Sequence, residues 1–219
     1  MITAKAPSTP KDFSIGVLES VERASEILNI SLRELLPNTK IFGHGTTVAT
    51  NALITRSGAK TGLITTKGHE DAIIIGRSYQ KVAGLTEEEM MYVVKLEKPE
   101  PLVPRPLIKG VTEQVDYKGE VVVPLNRQEA QRAIDELVEK GVQAIAVCFL
   151  WSFMNPQHEL EVKKMIQEKY SDIFVTISYD LASVIKEYER TATTVINAYL
   201  SQITDRYLAS LGRRLKENG

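Results

Sequence analysis

Two segments of the chain bring together residue types that can do chemistry. The first is Phe42-Gly43-His44-Gly45-Thr46-Thr47, running on to Asn51, where an imidazole, two hydroxyls and an amide follow a short apolar stretch. At a strand-to-helix joint, free backbone amides and adjacent hydroxyls make a cradle for an anion. The chain has no G-x-x-x-x-G-K-[ST] phosphate loop, and glycine is equally wanted for a tight turn, so an anion cradle and a plain turn with a helix cap both stay open. The second segment is Glu187 through Asn197, EYERTATTVIN. At helical spacing Glu187, Arg190, Thr194 and Asn197 share one narrow polar stripe, opposite an apolar stripe of Tyr188, Ala192, Val195, Ile196, Tyr199 and Ile203. The polar stripe is short-chained and hydrogen-bonding, as in a site. It also reads as an ordinary surface ion pair between Glu187 and Arg190.

Other reactive types are less suggestive. Arg77 and Tyr79 sit in a polar stretch and fit either an anion contact or a solvated loop. His44, His69 and His158 share no metal-ligand spacing, so no metal site built by the protein is expected. Cys148 lies inside an apolar run and reads as a small core residue, because a reactive thiol needs an accessible, electropositive setting. Trp151 and Phe153, just beyond that run, read as closing a core.

The elements that must position these groups follow from periodicity and punctuation. Residues 1–6 alternate weakly, like the end of a strand. Thr9-Pro10-Lys11-Asp12 predicts a capped helix start with proline at the first helical position. The helix runs to about Asn29, with Val17, Leu18, Val21, Ala24 and Leu28 as a core face against a sheet. A strand over Lys40–Gly43, a turn at Gly45-Thr46-Thr47 and a helix through Ser57 closed by Gly58 come next. Thr61–Thr66 is a strand, His69–Ile75 a short helix, Gly76–Gln80 irregular, and Thr86-Glu87-Glu88-Glu89 opens another short helix. Pro99, Pro101, Pro104 and Pro106 make 98–106 an extended connector. A hairpin around Tyr117-Lys118-Gly119 joins Leu107–Asp116 to Glu120–Val123. Asn126 caps a helix with Ala130, Ala133, Ile134, Leu137 and Val138 inward, ended by Gly141. Val142–Leu150, a helix from Asn155-Pro156 with Val162, Met165 and Ile166 inward, and Ile173–Tyr179 form a parallel βαβ unit. A long helix, with a possible break near Ser201, covers 183–218. The implied division is a first α/β subdomain over 1–97, a linker over 98–106, a second over 107–182 and the long helix over 183–219. Alternating strands and capped helices make the fold class α/β.

Composition excludes several function classes. The 219 residues carry 27 Lys plus Arg against 28 Asp plus Glu, a net charge of −1, so no long-range field draws in nucleic acid or an anionic membrane surface. The longest apolar run, Ala144–Trp151, is far short of the roughly 20 residues of a transmembrane helix. The N-terminus has no signal-peptide pattern, and the single cysteine allows no internal disulfide, so a cytoplasmic location is expected.

Together, HGTTVATNALITRSGAKTGLITTKGHEDAIIIGR, PEPLVPR, AIAVCFLWSFMNPQHE and EYERTATTVINAYL resemble the N-terminal region of the hydantoinase A / 5-oxoprolinase family, in order and spacing over nearly the whole chain. The stretch after Gly76, LTEEEM and AVCFLWSFMNP look more like the ATP-dependent acetone and acetophenone carboxylases than the hydantoinases. The resemblance implies a partial actin-like ATPase lobe, of the sugar kinase and Hsp70 type, with βαβ units and a long C-terminal helix. It further implies ATP with Mg or Mn in the complete assembly, and chemistry in which a carbonyl oxygen is activated by phosphorylation. Such transfer is mainly positioning and charge neutralisation. The family's HGTT-ATN segment maps onto His44, Gly45, Thr46, Thr47, Ala49, Thr50 and Asn51. Its EYER-TT-NAY segment maps onto Glu187, Tyr188, Glu189, Arg190, Thr193, Thr194, Asn197, Ala198 and Tyr199. On this basis His44, Glu187 and Arg190 are the expected catalytic residues. Gly45, Thr46, Thr47, Asn51, Arg77, Thr194 and Asn197 are the expected substrate or nucleotide contacts.

One departure stands against these matches. The family's opening D-x-G-G-T-F-T-D phosphate loop has no counterpart in MITAKAPSTP, and Gly219 falls where family members continue into a second nucleotide-binding lobe. The chain alone is therefore expected neither to hydrolyse ATP nor to hold it tightly, and its expected partners are other subunits or the remaining lobe of the same enzyme, acting on a small carbonyl compound. The alternative is a non-catalytic interaction module that keeps the lobe's fold.

Overall fold

The structure, a computed structural model, describes residues 1–9 and 12–219. The chain divides into two compact units, residues 1–58 with 202–219, and residues 59–201. The expected subdomain limits at 97, 106 and 182 all fall inside the second unit.

The second unit is a four-stranded parallel sheet with helices packed on it. Its strands are β1 (Thr61–Thr66), β2 (Ile108–Val111), β5 (Ala144–Cys148) and β6 (Phe174–Ile177), in the order β2-β1-β5-β6. Registers pair Leu63 with both Ile108 and Ala146, and Ala146 with Thr176. All of β1 and β5 is buried, as parallel strands covered on both faces must be. The expected hairpin forms, but from β3 (Gln114–Val115) and β4 (Val121–Val123) alone, with Gly119 at φ +85° in its turn. Residues 108–111 belong instead to the main sheet, where they pair in parallel with β1 and bury Ile108 and Val111.

Helix α6 (Arg127–Glu139) starts where the Asn126 side chain accepts the Glu129 amide at 3.1 Å and ends at Gly141, φ +74°. Its face of Ala130, Ala133, Ile134 and Leu137 is buried as the spacing predicts. Gly62 on β1 makes room for it, since a Cβ there would lie 2.9 Å from the Leu137 side chain. Helix α7 (Gln157–Lys169) connects β5 to β6 and buries Val162, Met165 and Ile166. Asp135 of α6 ties the two helices by accepting from Lys169 and Tyr170. One residue out of phase with Gly62, Leu63 and Thr65 share a recess with Arg190 and Thr191 of the last helix, so the sheet has helices on both faces. The short helices α4 (Ala72–Ile75), α5 (Glu87–Met91) and α8 (Ser178–Leu181) complete the unit. The predicted capping box of α5 is present between Thr86 and Glu89. The proline-rich 98–106 is extended up to a 3-10 turn at Arg105–Leu107, with Val103 and Leu107 in the core.

The other unit holds α1 (Phe13–Ile27), α2 (Leu32–Leu35), α3 (Val48–Ile54) and the end of α9 (Glu187–Glu217). Several expectations fail here. Neither residues 1–6 nor Lys40–Gly43 form a strand, so α1 has no sheet in its unit to pack on. Its apolar stripe is accordingly only partly covered, and the buried residues of α1 are Ser14 and Ser25. Pro10, expected at the first helical position, lies outside the described residues. Asp12 is the cap, accepting from the Ser14 amide at 3.0 Å, and Thr9 instead receives the Gly16 amide and donates to the Asp12 carbonyl. Helix α3 stops at Ile54, before the expected Ser57, with Arg56 rather than Gly58 in the left-handed region at φ +54°. The last helix has no break at Ser201, whose hydroxyl bonds the Ala198 carbonyl within the helix.

Candidate functional site

The first segment lies in the unit that contains α1. Residues 44–47 are irregular backbone leading into α3, and Thr46 Oγ1 accepts the Val48 amide at 3.2 Å. Asn51, one turn on, donates to Thr47 Oγ1 at 3.4 Å. The His44 ring is held by a hydrogen bond between its Nε2 and the Tyr207 hydroxyl, with the rings tilted at 5.7 Å. Partial burial raises the Tyr207 phenol above its usual range. His44, Gly45, Thr46, Thr47 and Asn51 come together on one wall of an open cleft of about 730 Å³, shared with Lys5 and Ser8. Among the described residues no carboxylate lines it, and Lys5 and His44 are among those that do. Helix α3 is only two turns long, so the polar groups the cleft presents are hydroxyls and Lys5 rather than a helix dipole. Sequence reasoning missed Tyr207. Its signal was the apolar stripe Tyr199, Ile203, which continues at the same spacing to Tyr207.

The second segment begins α9 and behaves differently. Arg190, read as half of a surface pair with Glu187, is 1% exposed. Its Nη1 donates to Ser152 Oγ and, at 2.9 Å, to Ser178 Oγ; its Nη2 donates to the Phe149 carbonyl at 2.7 Å. Phe153 lies under the guanidinium at 5.4 Å. Ser178 in turn donates at 2.6 Å to Glu159, which also accepts the amides of Phe149 and Tyr179. A buried cation and a buried carboxyl are thus joined through a serine. Burial pushes the Glu159 carboxyl up, against those hydrogen bonds, which pull it down.

A second buried cluster adjoins: His158 Nδ1 lies 2.8 Å from Glu113 Oε2, and Thr66 donates to the other oxygen of that carboxylate while accepting the Leu150 amide. All these groups stand at the carboxyl ends of the parallel strands. None of Ser152, Ser178, Glu113 or Glu159 was singled out beforehand, and His158 was weighed only as a metal ligand. For the last two the pattern was readable, because 158 and 159 lie three or four residues before the inward-facing Val162.

The expected polar stripe of α9 is therefore partly its inner face. Thr194 is buried and donates to the Arg190 carbonyl, Asn197 donates to Thr176 Oγ1 of β6 at 3.2 Å, and Glu187 is half-buried. Ile196, expected inside, is exposed. Val195 and Tyr199 of the apolar stripe are buried as expected, so both stripes are covered in part; the strand ends offer Arg190 a carbonyl and two hydroxyls, which solvent-facing packing would leave unmet. Arg77 forms a bidentate pair with Glu189 at 2.7 and 2.8 Å and stacks over Tyr188, while Tyr79 is exposed. Cys148 is buried, which raises its thiol, and it accepts from Thr191.

The model of the hydantoinase/oxoprolinase N-terminal region matches residues 1–170. The chain belongs to this family. It is 42% identical over 99% of its length to the acetophenone carboxylase gamma subunit of Aromatoleum aromaticum, and 34% identical over 98% to the caprolactamase subunit alpha of Pseudomonas jessenii. Among solved structures, nucleotide-free acetone carboxylase matches 99% of it with a TM-score of 0.90 and 31% identity. The ATP-dependent caprolactamase of Pseudomonas jessenii matches 98% with a TM-score of 0.81 and 34% identity. This family chain spans about 30% of the length of those relatives. The likeness is consistent with the partial actin-like lobe that the motifs imply. No helix among the described residues is long and apolar enough to cross a membrane.

Proposed function

We propose that the chain forms part of a cytoplasmic ATP-dependent enzyme that activates a carbonyl oxygen by phosphorylation, of the ketone carboxylase or cyclic-amide hydrolase kind, and that it turns over only with the rest of that assembly. The observation that carries this reading is the cleft of His44, Gly45, Thr46, Thr47 and Asn51, lined by hydroxyls and Lys5 and, among the described residues, by no carboxylate. Such a wall suits phosphate oxygens. ATP, when bound, supplies the phosphoryl group that activates the carbonyl oxygen.

The chain's own residues bind and orient. Lys5 and His44 meet negative charge, and Tyr207 fixes the imidazole. Asn51 donates to Thr47 Oγ1, which leaves the Thr47 hydroxyl hydrogen free to donate into the cleft. Among the described residues no group of three His, Cys, Asp or Glu is placed to hold a metal. In the second segment, Arg190 acts by holding α9 to the strand ends, Thr194 bonds the Arg190 carbonyl within the helix, and the half-buried Glu187 and Asn197 are the ones with access to a ligand. Arg77 acts with Glu189.

The test is Thr47→Ala and His44→Ala in the complete enzyme. Each should lower carbonyl-dependent ATP consumption by about a hundredfold, the usual size for a lost phosphate or oxyanion donor. Rates within twofold of the parent would remove this cleft from the site.

A further inference from the structure

The recess between β1, β5 and the start of α9 lies at a distinctive place in the sheet. The chain leaves β1 for β2 on one side and later returns to β5 on the other, so the strand order reverses between β1 and β5. Open parallel sheets bind small molecules outside the carboxyl ends of the strands at such a point. Here Thr65 near the end of β1, Cys148 at the end of β5, His69, Glu187, Arg190 and Thr191 line a recess with room of about 10 Å³, about that of a single water molecule.

One wall carries an unmet donor. Arg190 is buried, its Nη1 and Nη2 are committed to Ser152, Ser178 and the Phe149 carbonyl, and its Nε has no partner. A buried guanidinium N–H left without an acceptor is costly, and native structures meet such groups with protein or ordered water.

We propose that this recess binds one acceptor oxygen on Arg190 Nε, supplied by an internal water. Size excludes a whole carboxylate or phosphate. The charge is compatible with a neutral occupant, because Glu187 in the lining offsets Arg190 and a carboxylate can accept from a water. The hydroxyls of Thr65 and Thr191 complete the two to four polar neighbours that a buried water needs. The water joins Glu187 to Arg190 and, through Ser178, to Glu159, linking the half-exposed first turn of α9 to the buried network.

The test is a crystal structure of the full 219-residue chain at a resolution that shows ordered water, grown once from a buffer free of carboxylate, phosphate and sulfate and once with added formate. A single-atom peak about 3 Å from Nε in both crystals, lost in Arg190→Lys, is the expected result. A peak present only with formate would make the ligand an anion and overturn the proposal. So would an empty recess, or Nε turned onto a protein acceptor. Should Arg190→Lys fail to fold, a nuclear Overhauser effect between water and Arg190 Hε in the parent chain decides the same point, and its absence counts against the water.

Discussion

Arg190 and Glu159 are separated by one serine hydroxyl and sealed from solvent, so neither can be removed without stranding the other. Arg190→Ala should therefore destabilise the 59–201 unit by about 3–5 kcal/mol, the usual cost of leaving a buried charge unpaired. Denaturant unfolding checks this, and a loss under about 1 kcal/mol would show that the network relaxes freely. A second prediction concerns Asp12. Its carboxyl is held at about 2, against 3.8 unperturbed, first by the Ser14 hydroxyl and then by Arg214 and Ser210. A depressed carboxylate stabilises the fold in full above its unfolded pKa, and the contribution is lost as pH falls from 3.8 through about 2. Asp12→Asn should flatten the acid side of the stability profile of the 1–58 and 202–219 unit, measured by hydrogen exchange in α1, and leave its neutral-to-alkaline side parallel to the parent. How far the site was legible differs between its two segments. His44 through Asn51 could be read because a local run of glycines and hydroxyls stays local in three dimensions. Arg190 was read either as a site residue or as half of a surface pair; its burial was not legible because its partners Ser152, Ser178 and the Phe149 carbonyl are distant in sequence, and no periodicity on α9 announces them.

At the level of elements, Gly16 gives a prediction whose sign opposes the general rule. In an exposed helix interior, Gly→Ala stabilises by about 1 kcal/mol. Here a Cβ at Gly16 would stand 2.6 Å from the Pro7 carbonyl, because residues 7–8 cross α1 at this point. Gly16→Ala should lower the melting temperature and speed exchange in α1; a rise would mean that the crossing is loose. Elements bounded by side-chain caps and glycines, such as α5, α6 and the βαβ unit of β5, α7 and β6, were legible because their signals are local and agree with their burial. The failures share a cause. Residues 1–6 and 40–43 have strand-like composition but no neighbouring strand in their unit, and a strand without a partner leaves its backbone groups unmet. The span 107–116 was read as one arm of a hairpin, yet its first half joins β1. Local pattern cannot rank a nearby turn against a parallel partner more than forty residues away.

For the whole molecule, membership of the hydantoinase/oxoprolinase family rests on a match over residues 1–170 and on relatives matched along nearly the full chain, of which it spans about 30%. The central claim is that the assembly containing this chain spends ATP on a carbonyl compound. The most direct measurement is ADP or AMP and phosphate release by the purified assembly, with ketones, lactams, hydantoins or 5-oxoproline supplied one at a time and with none. The account predicts ATP consumption that rises at least tenfold with one of these classes and falls back when the Thr47→Ala chain is substituted. ATP consumption indifferent to every carbonyl compound, or none at all in the intact assembly, would contradict it.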